Sequence, residues 1–433
     1  MTNIYSYPYS PGLSILYSPI ARKILLLSAT EAAHIEHGLL HQVSPATAQA
    51  FAQLNDYVPV SQQPKVMGPA DYTLLTVLPT NRCNFACSYC YAAAGRDNSS
   101  LDLPRLQKAI DFFFDSKPAG LKRPLSLSFM GGGEPLMAFD VVRTATEYAR
   151  QKSLQSGLRL NIRIITNASL VDDEFIRFCK SQDVEVSVSF DVIKDVHDVQ
   201  RDRYDDVVRG LTALCDAGLS VQVNTTITPL NVAQMPSMLS TIHDRWPTVQ
   251  AVMFEPVSGR LGMDNAQLEA FLGQYGQQFI TCLHLADSYG ISLTSFAYLR
   301  TVFPLERACP GELCITSHAD VTGCYCVGSP KAPLYAQTKY GEVHDWGLEF
   351  DKEQYHRLTG ENVYSFPECT DCEVKWNCGG GCYYQNHTSD ADYRLIQCRF
   401  TRRFVQDIIR YRVDRHINQC HGQTPLPLLI DNR

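Results

Sequence analysis

Between residues 71 and 290 the chain alternates short apolar runs with longer segments of helical periodicity. The runs Tyr72–Leu78, Leu125–Phe129, Leu160–Ile165, Val184–Phe190, Ser220–Ile227 and Val249–Phe254 predict strands. Segments 103–115, 139–153, 171–181, 204–217 and 232–244 predict the intervening helices, with another near 265–286. Strands joined by helix-length crossovers pair in parallel. No GxGxxG follows the first strand, which disfavours an open dinucleotide-binding sheet. The pattern therefore predicts an α/β fold, a partial (β/α)6 barrel, with chemistry at the C-terminal ends of its strands.

The flanks read differently. In residues 1–70, SILYSPI and KILLLS predict a hairpin, and Ser28–Glu31 a capping box opening a helix to about Leu40. Ser44-Pro45 opens a second helix, and Gln62–Pro69 reads as a linker. Residues 300–420 are rich in Cys, Gly and turns with little periodicity. They are expected to bury little apolar surface, to need metal to order, and to close on a helix over about Thr401–Ile417. The tail beyond Cys420 carries no pattern. The predicted division is a small N-terminal module (1–70), the barrel (71–290) and a Cys-rich C-terminal domain (300–420).

Composition sharpens this. A length of 433 residues suits one large barrel with smaller modules, and 45% hydrophobic residues suit a packed core. A net charge of −7 without a long Lys/Arg run argues against nucleic-acid binding. The N-terminus lacks a secretory pattern and no apolar run approaches a membrane span, so the expectation is a cytoplasmic protein away from the membrane. In a reducing compartment 16 cysteines point to metal sites rather than disulfides. They gather near residue 85 and over 309–398.

After the first strand comes Cys83-Asn-Phe-Ala-Cys87-Ser-Tyr-Cys90. Three cysteines spaced CxxxCxxC leave the fourth iron of a cubane open to chelate a small molecule. A zinc site completed by a distant ligand is the alternative. The motif resembles the signature of the radical S-adenosylmethionine (SAM) superfamily, and the likeness extends over about 71–256. Met130-Gly-Gly-Gly-Glu134-Pro135 resembles that family's GGEP motif, which implies that Gly132, Gly133 and Glu134 receive the SAM amino group. Thr166-Asn167 resembles its T-N element. Ser189-Phe190-Asp191 with Arg201 is similar to its S-x-D and downstream Arg. By this resemblance Ser189 meets the ribose, Arg201 pairs the methionine carboxylate in a fork, and Tyr89 packs near adenine. The implied reaction reduces a [4Fe–4S] cluster, from a donor such as flavodoxin or ferredoxin, and cleaves SAM to a 5′-deoxyadenosyl radical.

The C-terminal cysteines are similar to the twin-cluster SPASM domain. Carried over, one auxiliary [4Fe–4S] cluster takes Cys309, Cys314, Cys326 and Cys382, and the second takes Cys369, Cys372, Cys378 and Cys398. That makes three clusters and leaves Cys179, Cys215, Cys282, Cys324 and Cys420. Zinc ribbons are the alternative for this region. The pattern departs at Gly323-Cys324-Tyr325-Cys326, where two cysteines compete for one position. If that stretch is extended, both thiols face one side, one as ligand and the other, Cys324, as a catalytic hydrogen donor.

The resemblance implies a maturase that oxidatively cross-links a ribosomally made precursor peptide or another protein substrate. Epimerisation through Cys324 is the alternative outcome. An anaerobic sulfatase-maturating type of enzyme is a further alternative; such enzymes place an Asp beside an auxiliary Cys, whereas Val327-Gly328 follows Cys326 here. A non-catalytic metal-binding module would not need Glu134, Ser189 and Arg201. Residues 1–70 are expected either to help dock a leader peptide by strand addition or to serve as a cap over the barrel bottom.

Overall fold

The computed structural model describes residues 3–57, 67–309, 311–420 and 425–432; residues 62–66 of the expected linker lie outside them. Its strands are β1 (Tyr5–Ser10), β2 (Leu13–Ser18), β3 (Lys23–Ser28), β4 (Leu74–Val77), β5 (Leu125–Phe129), β6 (Leu160–Thr166), β7 (Val184–Ser189) and β8 (Val221–Ile227). They continue as β9 (Ala251–Pro256), β10 (Ser292–Thr294), β11 (Leu313–Ile315), β12 (Asp320–Thr322), β13 (Lys339–His344), β14 (Gly347–Phe350) and β15 (Leu428–Asp431).

The predicted barrel strands β4 to β9 lie side by side in sequence order, all parallel. Alternation along each strand divides its faces. Leu125, Leu127 and Phe129 of β5 and Ile162 and Ile164 of β6 are buried under the helices. Ser128, Arg163, Glu185, Gln222, Asn224 and Thr226 leave the opposite, inner face polar and partly open. The helices dock by apolar stripes. In Leu103–Asp115, capped by Asp102, the buried residues Leu106, Ala109, Ile110, Phe113 and Phe114 recur at helical spacing. Each such large apolar side chain contributes about 1.5–3 kcal/mol by burial. No helix among the described residues is long and apolar enough to cross a membrane.

The sheet is larger than six strands. β10 adds a further parallel strand beside β9, and β11 pairs in parallel with β4 at the other edge. β12, β13 and β14 continue from β11 as an antiparallel meander. The Cys-rich segment therefore does bury apolar surface, contrary to expectation: Leu313, Ile315, Val321, Tyr340, Val343, Tyr355 and Leu358 join the barrel's core.

The N-terminal hairpin forms as β2 and β3, within a separate four-stranded sheet ordered β1-β2-β3-β15. Its last strand comes from the tail that carried no pattern. Ser28 and Ser44 cap helices Ala29–Glu36 and Pro45–Leu54, which cover one face of this sheet. The other face packs on Cys372, Val374 and the long helix Ala391–Gln419. Asn377 donates to the Tyr17 hydroxyl (2.9 Å) and the Trp376 indole to Asn3 (2.8 Å). The module is thus packed against the C-terminal cysteines.

Candidate functional site

The loop bearing Cys83, Cys87 and Cys90 leaves the C-terminal end of β4, and the glycines Gly131–Gly133 leave the end of β5 beside it. The two loops are pressed together. A Cβ on Gly133 would lie 1.9 Å from the Arg82 carbonyl oxygen, and one on Gly132 2.7 Å from Asn81 Oδ1. Gly132 also holds φ +80°, which a side chain disfavours. The Glu134 N–H donates to the Arg82 carbonyl (2.8 Å), fixing the contact.

Glu134 is buried, and burial pushes its carboxyl pKa up against the donors that lower it. Those donors are the Thr166 hydroxyl (2.6 Å), the Asn167 N–H (2.8 Å) and the Leu136 N–H (3.1 Å). Its carboxylate therefore ties the end of β5 to the end of β6. Asn167 donates to Asn84 (2.8 Å) and Asn84 to Ser169 (2.8 Å), joining the cysteine loop to β6 as well.

Ser189 ends β7, half-buried, opposite Asn224 of β8. Asp191 beyond it is fully buried, and four groups converge on it. The Tyr89 hydroxyl (2.6 Å) and Gln200 (3.1 Å) donate to Oδ2, the Thr226 N–H (3.3 Å) donates to Oδ1, and Arg201 Nε forms an ion pair at 3.1 Å. The guanidinium lies 5.1 Å from the Tyr89 ring centroid. Burial works against its charge, yet Asp191 holds its pKa above the ordinary Arg value. Arg201 is thus a buried ion-pair partner, with Nη1 3.9 Å from Cys87 Sγ. Arg96 reaches the other side, with Nη2 3.5 Å from Cys90 Sγ.

Burial pushes the Cys83 and Cys87 thiols up, and Arg96 and Arg201 pull them down. N–H donors aimed at cysteine sulfurs suit a negatively charged cluster. Buried polar atoms without a hydrogen-bond partner also occur on the cysteine loop and beside it: Asn81 Oδ1, Arg82 Nε and Arg96 Nε. Such orphans are rare in a finished interior and suit a polar guest. The residues present fit an iron–sulfur cluster and SAM.

The remaining cysteines form two groups. Cys369, Cys372, Cys378 and Cys398 are mutual electrostatic neighbours, and burial pushes Cys369 up to about 12. Cys309, Cys314, Cys324, Cys326 and Cys382 are likewise electrostatic neighbours, with the Cys324 and Cys326 side chains in hydrogen-bond contact. Among the described residues no three His, Cys, Asp or Glu side chains converge as they would on one metal ion. Residues 323–326 are not extended: the Val327 N–H donates to the Cys324 carbonyl (3.1 Å), closing a turn, so the same-face argument for the two thiols does not hold. Cys179, Cys215 and Cys282 are buried in helices, and Cys420 is exposed.

Several site residues carry no motif. Tyr91 stands edge-on to Tyr325 with ring centroids 5.8 Å apart, and its hydroxyl fills the space beside Gly131. Glu255, at the end of β9, accepts the Phe296 N–H (2.8 Å), and burial pushes it up to about 7. Glu312, beside Cys314, is pushed up to about 7 in the same way. An acidic residue ending the last predicted strand was the one available signal, and it points only to Glu255.

Comparison with known proteins agrees with this geometry. Residues 77–242 match the Radical SAM superfamily. The chain is 23% identical over 382 residues to a serine-type anaerobic sulfatase-maturating enzyme of Klebsiella aerogenes, covering 81% of this chain and 88% of that protein. The first curated relatives it matches are spanned for only 39% to 52% of their own length. Its fold resembles native anSMEcpe with bound AdoMet (TM-score 0.62, 15% identity, 81% of this chain and 100% of that one). It also resembles Streptococcus suis SuiB bound to precursor peptide SuiA (TM-score 0.54, 14% identity, 90% and 97%). Residues 77–242 of the chain thus carry a segment matching the Radical SAM superfamily, within a fold like that of native anSMEcpe.

Proposed function

We propose that this enzyme is a peptide maturase that cleaves SAM and oxidatively cross-links side chains of a ribosomally made precursor. The observation that carries the reading is the joining of the two cysteine regions. Gly328, just past Cys324 and Cys326, lies against Gly132: a Cβ there would sit 3.7 Å from the Gly132 Cα. Asn81 donates to the Gly328 carbonyl (3.3 Å). A radical generated at the barrel rim and an electron acceptor in the C-terminal segment would thus be neighbours.

In this reading Cys83, Cys87 and Cys90 hold the SAM-binding [4Fe–4S] cluster, and the two C-terminal groups hold auxiliary ones. When bound, the clusters and SAM supply the 5′-deoxyadenosyl radical and an exit for the substrate's electron. The chain's own residues position these groups. Arg96 and Arg201 donate toward cluster sulfurs, and Glu134 braces the rim, leaving the backbone of Gly132 and Gly133 to receive the SAM amino group. Ser189 meets the ribose, Tyr89 packs near adenine, and Thr166 and Asn167 shape the floor. Arg201 is already paired with Asp191, so its fork toward the methionine carboxylate would use Nη1 and Nη2.

A peptide substrate is supported by the neighbours' own descriptions: SuiB is bound to precursor peptide SuiA, and anSMEcpe with AdoMet has been solved with a Cp18Cys peptide. Leader docking on residues 1–70 would use an outer edge of β1 or β15, because β15 already covers β3. Arg410 donates to the Pro8 and Tyr9 carbonyls of β1, which narrows that edge. The second reading, epimerisation, is favoured by one observation, two cysteines at 324 and 326 where one ligand suffices. Neither is followed by an Asp, which weighs against a sulfatase-maturating type of reaction. Co-expression with a short peptide encoded beside the gene tests the choice. A product lighter by two hydrogens is expected. An isobaric product carrying deuterium from heavy water would overturn cross-linking in favour of epimerisation.

A further inference from the structure

We propose that Glu255 is the general base of the oxidative step: its carboxylate takes the proton that the substrate gives up as the cross-link closes. The inference rests on the oxidative reading above and adds a catalytic residue to it.

The chemistry calls for such a group. Joining X–H to Y–H removes two hydrogens. The substrate loses the first as an atom to the 5′-deoxyadenosyl radical, giving 5′-deoxyadenosine, and the X–Y bond then forms with the unpaired electron left on the Y side. That species regains a closed shell by giving one electron to an oxidised auxiliary cluster and one proton, from the former Y–H bond, to a base. Neither Cys324 nor Cys326 is followed by an acid, so the sequence sets no carboxylate directly after that pair.

The carboxyl groups near the strand ends differ in how far they are already engaged. Glu134 accepts three hydrogen bonds, and Asp191 accepts three and pairs with Arg201, so every oxygen of both is taken. Glu312 Oε2 is unpartnered, but it is closed to solvent and lies two residues from Cys314. Glu255 differs from all three. Val252 and Phe254 of β9 are buried in the core, so alternation turns Met253 and Glu255 to the inner face. Oε2 of Glu255 accepts the Phe296 N–H (2.8 Å), and among the described residues its carboxylate makes no other hydrogen bond and no ion pair.

Its place suits the task. Glu255 stands opposite Thr226 in the β8–β9 register, and the Thr226 N–H donates to Asp191 (3.3 Å), the residue that holds Tyr89 and Arg201. Adjacent strands lie about 4.8 Å apart, which sets Glu255 one strand away from that contact. It is half-buried, so solvent reaches it, yet the protein around it pushes its carboxyl up to about 7. The charged and titratable groups facing it are Arg300, at the end of Phe296–Arg300, and Tyr275, on the helix Asn265–Tyr289. Such a carboxylate can take a proton near neutral pH and pass it to water.

The test uses full-length protein reconstituted anaerobically with iron and sulfide, given SAM, dithionite and the peptide encoded beside the gene, made with deuterium on carbon. Glu255→Gln is expected to carry deuterium into 5′-deoxyadenosine but to form cross-linked product at least about 100-fold more slowly. Glu255→Asp, which restores a carboxylate, is expected to recover part of that loss. In the wild type, product formed per 5′-deoxyadenosine should fall as pH drops through about 7, because the acting form is the carboxylate; in Glu255→Gln the residual product should not follow that curve. A second measurement needs neither peptide nor metal. Carbodiimide with glycine amide at about pH 7, then peptide mass mapping, is expected to label Glu255 of the wild type more heavily than Glu185 of β7, which pairs with Arg163 (2.7 Å). Cross-linking by Glu255→Gln at the wild-type rate, or Glu255 left unlabelled, would overturn the assignment, the latter even if the variants misfold. A wild-type product that is isobaric and labelled from heavy water would overturn the oxidative reading itself, and the base with it.

Discussion

Replacing Gly133 by Ala probes the contact on which the site is built. The new Cβ would lie 1.9 Å from the Arg82 carbonyl oxygen, 2.5 Å from its carbon and 2.7 Å from the Asn81 carbonyl carbon. All three are backbone atoms, so no side chain can swing aside. An ordinary C···O contact is about 3.3 Å, which requires the loops to part by about 1.4 Å. That movement breaks the Glu134 N–H bond to Arg82 (2.8 Å) and pulls on the carboxylate holding Thr166 and Asn167. Overpacking plus one lost hydrogen bond sums to about 2–4 kcal/mol. Denaturant unfolding of the metal-free variant measures this cost. Equilibrium dialysis of reconstituted protein should find SAM bound at least about tenfold more weakly, or about 1.4 kcal/mol. Gly157→Ala is the control: its φ is +67° with open space around it, so it should lose about 1–2 kcal/mol without touching SAM affinity. Gly133→Ala with near wild-type stability and SAM affinity would refute the close-approach argument.

His197 is fully buried and accepts the Asp191 N–H (3.2 Å), and burial lowers its pKa from 6.5 to about 4. The unfolded chain therefore takes up a proton more readily than the folded one. Stability should fall as pH drops from about 6.5 to about 4 and level off below, with about 2 kcal/mol lost by pH 5. Urea unfolding at pH 7.5 and 5 should show this loss, shrunken in His197→Gln; an equal loss in the variant would contradict it. Glu134→Gln should put an amide N–H against the Asn167 N–H, costing about 1–3 kcal/mol and weakening SAM binding in the same dialysis assay. Deleting residues 1–57 removes β1–β3, so it should bare Cys372 and Val374 and cost the iron of the Cys369 group, read by iron analysis. Unchanged iron would argue against that packing.

The barrel was legible in the sequence because its signals are local. Leu125–Phe129 and the helix Leu103–Asp115 match their predicted bounds, and β6 overruns its prediction only by Thr166. The long C-terminal helix was half missed. It begins at Ala391 rather than about Thr401, and it buries two offset stripes that blur a single periodicity. Phe404, Ile408 and Tyr411 face the barrel, whereas Val405, Ile409 and Val413 face the N-terminal sheet. β11 and β12 were hidden by being three residues long, with Cys and Thr among their buried positions. β15 was hidden because its partner, β3, lies some four hundred residues earlier in the chain. At the site, the motifs brought Cys83, Glu134, Asp191 and Arg201 into one place. They could not say that Glu134 is already engaged by three donors, because that depends on contacts between distant loops, nor that residues 323–326 close a turn instead of running on extended.

The most direct test of the central claim is reductive SAM cleavage. Anaerobically reconstituted protein, given dithionite and SAM, should form 5′-deoxyadenosine and methionine in equal amounts. The variant with Cys83, Cys87 and Cys90 all replaced by Ala should form none while keeping the absorbance of its remaining clusters. Equal 5′-deoxyadenosine from the wild type and the triple variant would contradict the account.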